Sequence, residues 1–110
     1  MYKVIVFAGT TEGYEISRFL GENQIPVLAC VATEYGSKSL KESSTLHVQA
    51  GRLDEKEMKE LFSREKPELV LDATHPYAAE VTRNIRKACE EAEVSYTRIL
   101  RTGSGQQDGV

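Results

Sequence analysis

A chain of 110 residues, 40% apolar and 28% charged, has the composition of a soluble globular domain with no room for a second core. A net charge of −3 without any basic cluster argues against a nucleic-acid partner, and no apolar run approaches the length of a membrane span. Cys30 and Cys89 show no metal-ligand spacing, so they read as buried, reduced thiols of a cytoplasmic protein, and no metal site is expected.

Met1-Tyr2-Lys3 runs straight into the first apolar strand, Lys3 to Ala8, and no leader is expected. A helix follows Gly13, with Ile16, Phe19 and Leu20 at core spacing; Gly21 and Pro26 punctuate its end. Strand two spans Val27 to Val31, and the polar stretch Thr33 to Lys38 leaves it. A short third strand covers about Thr45 to Gln49 and stops at Ala50-Gly51-Arg52. Asp54 and Glu57 have the spacing of a capping box, opening a helix with Met58, Leu61 and Phe62 as its core stripe. Pro67 precedes strand four, Leu69 to Ala73. The last helix carries Ala78, Val81, Ile85, Ala88, Cys89 and Ala92 on one face, with Pro76 expected in its first turn. Strand five is Ser95 to Leu100, and the polar residues 102–110 read as a disordered tail behind a lobe of residues 1–101.

Strands alternating with helices imply an α/β fold: a Rossmann-like open parallel sheet of about five strands in the order 3-2-1-4-5, with helices on both faces. Its switch point then lies between strands one and four, where ligands bind such sheets. The turns Gly9-Thr10-Thr11-Glu12-Gly13 and Thr74-His75-Pro76 both fall there.

In the first turn, Gly9 is expected to take positive φ and let backbone approach a pyrophosphate, and Thr10 and Thr11 to add hydroxyl donors to the helix N–H groups. Glu12 is expected to point away or to cap the helix. A plain glycine-containing turn would give the same pattern. Past strand two, Glu34 sits near the usual ribose-binding acid and favours NADH, whereas Thr33, Ser37 and Lys38 suit the 2′-phosphate of NADPH. These residues leave the choice of cofactor open. Arg52, beside Gly51, offers a guanidinium to an adenine face, a phosphate or an acidic substrate; a lone surface arginine looks the same.

In the second turn, Thr74 supplies a capping hydroxyl and Pro76 a helix start, which puts the His75 imidazole at the carboxyl edge of the sheet. There it can donate a hydrogen bond to a ligand or act as a proton donor, or simply be solvated beside a cap. His47 reads as structural, and Asp72 as a fixture of the turn.

Three segments, Phe7-Ala8-Gly9-Thr10-Thr11-Glu12-Gly13, Ala50-Gly51-Arg52-Leu53-Asp54 and Val70-Leu71-Asp72-Ala73-Thr74-His75-Pro76-Tyr77-Ala78-Ala79-Glu80, resemble the precorrin-6A reductase family, which includes the cobalt-precorrin-6A reductases of cobalamin biosynthesis. Lys87-Ala88-Cys89 and Tyr96-Thr97-Arg98-Ile99-Leu100-Arg101 extend the resemblance to nearly the whole chain. It implies an oxidoreductase in which NADPH or NADH delivers hydride to a double bond of the tetrapyrrole substrate. The family's cofactor turn maps onto Gly9, Thr10, Thr11, Glu12 and Gly13, its strand-three turn onto Gly51, Arg52 and Leu53, and its second binding turn onto Thr74, His75 and Pro76.

Tyr14 stands where many members carry arginine, and Thr102-Gly103 stands where members continue with proline. Members are also longer, with a second α/β lobe, so a missing lobe or a homodimer partner is expected to complete the substrate site. His75 is the candidate proton donor, with orientation of the nicotinamide or a proton from solvent as the other options. A stand-alone nucleotide-binding or interaction domain without catalysis is the competing reading.

Overall fold

Short runs of β-branched and other apolar residues, each bounded by turn formers, build the five strands of the computed structural model, which describes residues 2–34 and 38–100. The elements are β1 (Val4–Ala8), α1 (Thr11–Glu22), β2 (Val27–Val31), β3 (Leu46–Ala50), α2 (Glu55–Glu65), β4 (Leu69–Ala73), α3 (Ala79–Ala92) and β5 (Tyr96–Arg98). The sheet order is β3-β2-β1-β4-β5 and every neighbouring pair is parallel, the architecture expected from the sequence. β2 and β4 have the expected bounds; β3 lies one residue later and β5 is shorter than the apolar pattern suggested. The expected tail, 102–110, and part of the polar stretch after β2 lie outside the described residues.

Alternation along the strands divides the core into two layers. Ile5, Phe7, Leu28, Cys30 and Val70 face α2 and α3, which add Met58, Leu61, Phe62, Ile85, Ala88 and Cys89. Val4, Val6, Ala8, Val27, Ala29, Val31 and Leu71 face the other way, with Tyr14, Ile16 and Leu20 of α1 packed on them. Met58 and Phe62 are fully buried, and truncating either to alanine costs about 2–5 kcal/mol. α2 starts at the expected capping box: the Glu57 N–H donates to Asp54 Oδ1 at 2.8 Å and the Asp54 N–H to Glu57 Oε1 at 2.9 Å.

On α1, Ile16 and Leu20 pack on the core as expected, but Phe19 does not. Phe19 is 60% exposed, and the buried stripe is Gly13, Ser17 and Gly21, four residues apart. Small side chains let this helix lie close against the sheet, and the Ser17 hydroxyl is satisfied by donating to Gly13 O at 2.8 Å. Gly21 is therefore a packing residue inside the helix, seated against Leu46, and not its stop. The helix ends at Asn23, and Gln24 takes the left-handed conformation. Among the described residues no helix is long and apolar enough to cross a membrane.

Candidate functional site

β1 and β4 are neighbours, and their chains leave the sheet in opposite directions: α1 covers one face and α3 the other. A crevice opens between the two turns, at the expected switch point. The first turn is fastened by Thr10. Its Oγ1 donates to Ala73 O at 2.9 Å, across to β4, and accepts from the Gly13 N–H at 3.4 Å as the N-cap of α1. The Gly9 N–H donates to the same Ala73 O at 3.1 Å.

These contacts change the roles expected of four residues. The Thr10 hydroxyl is used within the protein and is not offered to a ligand, whereas Thr11 is exposed. Gly9 has no positive φ; its lack of a side chain serves the close passage of the two turns, because a Cβ there would lie 3.3 Å from Thr74 Cα. Gly13 is buried beneath the turn, where a Cβ would come within 2.8 Å of Ala8 Cα and 3.0 Å of Ala73 Cβ. Glu12 is among the residues that line the crevice, and the N-cap of α1 is Thr10. An acid in the first helical turn is favoured there by the positive end of the helix dipole. Among the described residues, the backbone N–H groups of Thr10 and Thr11 have no acceptor within the protein.

The second turn is held from below by Asp72, which is fully buried at the end of β4. Its Oδ1 accepts from the Thr74 N–H at 3.1 Å, from Thr74 Oγ1 at 2.7 Å and from Arg98 Nη1 at 2.9 Å, and its Oδ2 accepts from the Tyr96 hydroxyl at 2.8 Å. Burial pushes this carboxyl upward, but the hydrogen bonds from Thr74 and Tyr96 outweigh it and hold the group below its ordinary value. Burial, together with the bond to Asp72, raises the Tyr96 phenol. The neighbouring Cys89 thiol is pushed up to about 12, chiefly by burial.

Thr74 therefore turns its hydroxyl inward and does not cap α3. That helix starts at Ala79, its N-cap is Ala78 without a side-chain cap, and Pro76 lies before its first turn. The fixed φ of proline suits a β-turn as well as a helix start, and the Ala78 N–H donates to His75 O at 2.9 Å to close one. His75 is exposed at the tip. Its Nδ1 accepts from the Tyr77 N–H at 3.2 Å, which leaves the proton of the neutral ring on Nε2. Tyr77, 89% exposed, tilts against the imidazole with ring centroids 5.1 Å apart.

The resulting crevice has a volume of about 460 Å³ and brings together Gly9, Thr10, Thr11, Glu12, Thr74, His75 and Pro76. Tyr14, Ile99 and Leu100 complete the lining, and the sequence reading did not count them as site residues. Thr33 and Glu34 at the end of β2, and Gly51 and Arg52 at the end of β3, share the carboxyl edge but do not line this crevice. Gly51 takes φ +111° in the turn leaving β3, and Arg52 is exposed. His47, on edge strand β3, is exposed and has its Nδ1 2.8 Å from the Tyr2 hydroxyl, which fits a structural role. Asp72 fixes the turn as expected, through Thr74, but its Arg98 and Tyr96 partners on β5 were not anticipated. The signal was a carboxylate in an otherwise apolar strand, with two polar residues two apart on the next one.

Comparison with known proteins gives a consistent picture. The family model described as precorrin-6x reductase CbiJ/CobK matches residues 3–110. The chain is 34% identical over 117 aligned positions to the cobalt-precorrin-6A reductase of Methanothermobacter thermautotrophicus, covering 96% of this chain and 39% of that protein. Against the cobalt-precorrin-6A reductase of Salmonella typhimurium it is 34% identical over 98 positions, covering 89% and 37%. The solved structure of the CobK precorrin-6A reductase superposes with a TM-score of 0.77 at 25% identity, over 93% of this chain and 40% of that one. The Bordetella bronchiseptica enzyme WbmH, solved in complex with NAD+, shares the fold with a TM-score of 0.67 at 20% identity, over 86% and 36%. The chain thus spans about two-fifths of the length of the relatives it matches.

Proposed function

Because this chain belongs to the precorrin-6x reductase family, we propose that it forms the nicotinamide-cofactor-binding lobe of a precorrin-6A or cobalt-precorrin-6A reductase. The observation that carries this reading is the meeting of the β1–α1 and β4–α3 turns in one crevice at the switch point. No lysine or arginine lines the crevice among the described residues, so an anion there is held by backbone. The unpaired N–H groups of Thr10 and Thr11, at the positive end of α1, fit a cofactor diphosphate. A carboxylate such as Glu12 in the lining suits ribose hydroxyls better than phosphate.

Further along the same edge, Thr33, Glu34, Gly51 and Arg52 would take the adenosine half of NADPH or NADH. Glu34 favours a free 2′-hydroxyl, while Thr33 and Lys38 favour a 2′-phosphate. When bound, the reduced nicotinamide supplies hydride to one end of a macrocycle double bond. A proton must reach the other end of the conjugated system; His75 could give it only as the imidazolium, which forfeits the Tyr77 bond, so with Nδ1 engaged its Nε2–H serves as a hydrogen-bond donor that orients the nicotinamide, and solvent supplies the proton. Thr74 and Pro76 fix the backbone on either side of that imidazole. The tetrapyrrole is large and polyanionic, and its reduction needs a dry, oriented site; we assign the opposite wall to a second lobe or a second copy of the chain. Buried free thiols at Cys30 and Cys89 fit a cytoplasmic location.

Calorimetric titration of the chain with NADPH and with NADH tests the cofactor reading. One of the two is expected to bind, with the affinity lost in Gly13→Asp. A folded wild-type chain that binds neither would overturn it.

A further inference from the structure

Arg98 closes β5 and reaches the end of β4 at Asp72 and the turn that follows at Thr74 and His75. Its Nη1 donates to Asp72 Oδ1 at 2.9 Å, to Thr74 Oγ1 at 3.0 Å and to Asp72 O at 3.3 Å, and its Nη2 donates to His75 O at 3.5 Å. The Arg98 side chain is 21% exposed, and it does not line the crevice. The Ile99 N–H donates to Asp72 O at 2.8 Å, so the end of β5 is laced to the same strand end from which the turn departs. Ile99 and Leu100 then continue directly into the crevice wall.

From this arrangement we infer that Arg98 is a positioning residue: its planar fork holds the Thr74 hydroxyl and the His75 carbonyl together and sets the direction in which the imidazole is presented. A planar guanidinium is needed because two nitrogens serve acceptors on different residues at once; an ammonium of the same charge can keep the Asp72 pair but not all the others. Edge strand β5 thereby contributes to the site, although Arg98 does not line it. The clamp's effect on ligand binding rests on the cofactor role proposed above, whereas its effect on the turn does not.

The test compares Arg98→Lys with Tyr96→Phe in the full chain. Tyr96→Phe removes one hydrogen bond to Asp72 and leaves the clamp in place, so it controls for simple loss of stability. The readout is amide hydrogen exchange at Thr74 and Ala78, whose N–H groups are bonded within the turn, against Val70 inside β4. Arg98→Lys is expected to speed exchange at Thr74 and Ala78 roughly tenfold or more relative to Val70, and Tyr96→Phe to leave that ratio unchanged. The affinity for whichever nicotinamide cofactor the wild type binds is expected to fall about fivefold or more in Arg98→Lys. Arg98→Lys with wild-type relative exchange, or the same ratio change in Tyr96→Phe, would overturn the inference. If the wild type binds neither cofactor, the cofactor reading fails while the exchange ratio still decides the positioning role.

Discussion

Asp72 and Arg98 form an ion pair between neighbouring parallel strands, 2.9 Å apart, with the Asp72 side chain wholly buried and the Arg98 side chain 21% exposed. A charge taken out of water in this way is tolerated only when each of its lone pairs is used, and here both oxygens are. The pair sits directly beneath the turn that carries His75, so the most expensive polar group of the core is also the foundation of one wall of the crevice.

Removing one partner should therefore be costly. Asp72→Ala is expected to lower unfolding stability by about 3 kcal/mol or more, read from urea denaturation at neutral pH. It strips the acceptor from Arg98, Tyr96 and Thr74 together.

The same group gives stability a pH dependence of defined sign. Its folded value is depressed, so ionised Asp72 stabilises the fold above the ordinary aspartate value of about 4. That contribution fades as pH falls through the depressed folded value. The stability gap between wild type and Asp72→Ala should thus be widest near neutrality and shrink in acid. A gap that is constant with pH would contradict the assignment.

Gly13→Ala tests the contact between α1 and the sheet. The added methyl would meet Ala8 backbone at 2.8 Å, and the expected cost of about 1–3 kcal/mol exceeds what alanine gains in helix propensity. Thermal unfolding measures it.

Gly51→Ala separates backbone strain from packing. Nothing lies within 4 Å of a Cβ there, yet φ is +111°, so a loss of about 1–2 kcal/mol is expected from conformation alone.

His75→Ala should leave the unfolding midpoint nearly unchanged, within about 0.5 kcal/mol, because the ring is exposed. Its effect is expected in ligand binding, measured by calorimetry with the cofactor that the wild type prefers.

Much of this was legible in the residues. Continuous apolar runs defined β2 and β4, Asp54 and Glu57 marked the start of α2, and the strand order followed from the crossovers. Helix periodicity misled at Phe19, because α1 approaches the sheet through glycine and serine, which carry little hydrophobic signal. The Thr74 and Pro76 assignments assumed that a hydroxyl and a proline before a helix must cap and start it. The buried Asp72 competes for that hydroxyl and wins, and proline serves the preceding turn. Ile99 and Leu100 reach the crevice wall, and Arg98 the turn that carries His75, through the pairing of β5 with β4, a long-range contact that local pattern does not encode.

The central claim is that this lobe holds a nicotinamide cofactor across the switch point. Amide NMR spectra of the labelled chain, recorded during titration with NADPH and NADH, test it most directly. Saturable shifts centred on Gly9 to Tyr14 and on Thr74 and His75, with Thr33, Glu34 or Gly51 moving as the adenosine half settles, are the expected result. An unperturbed spectrum, or shifts confined to surfaces away from these turns, would contradict it.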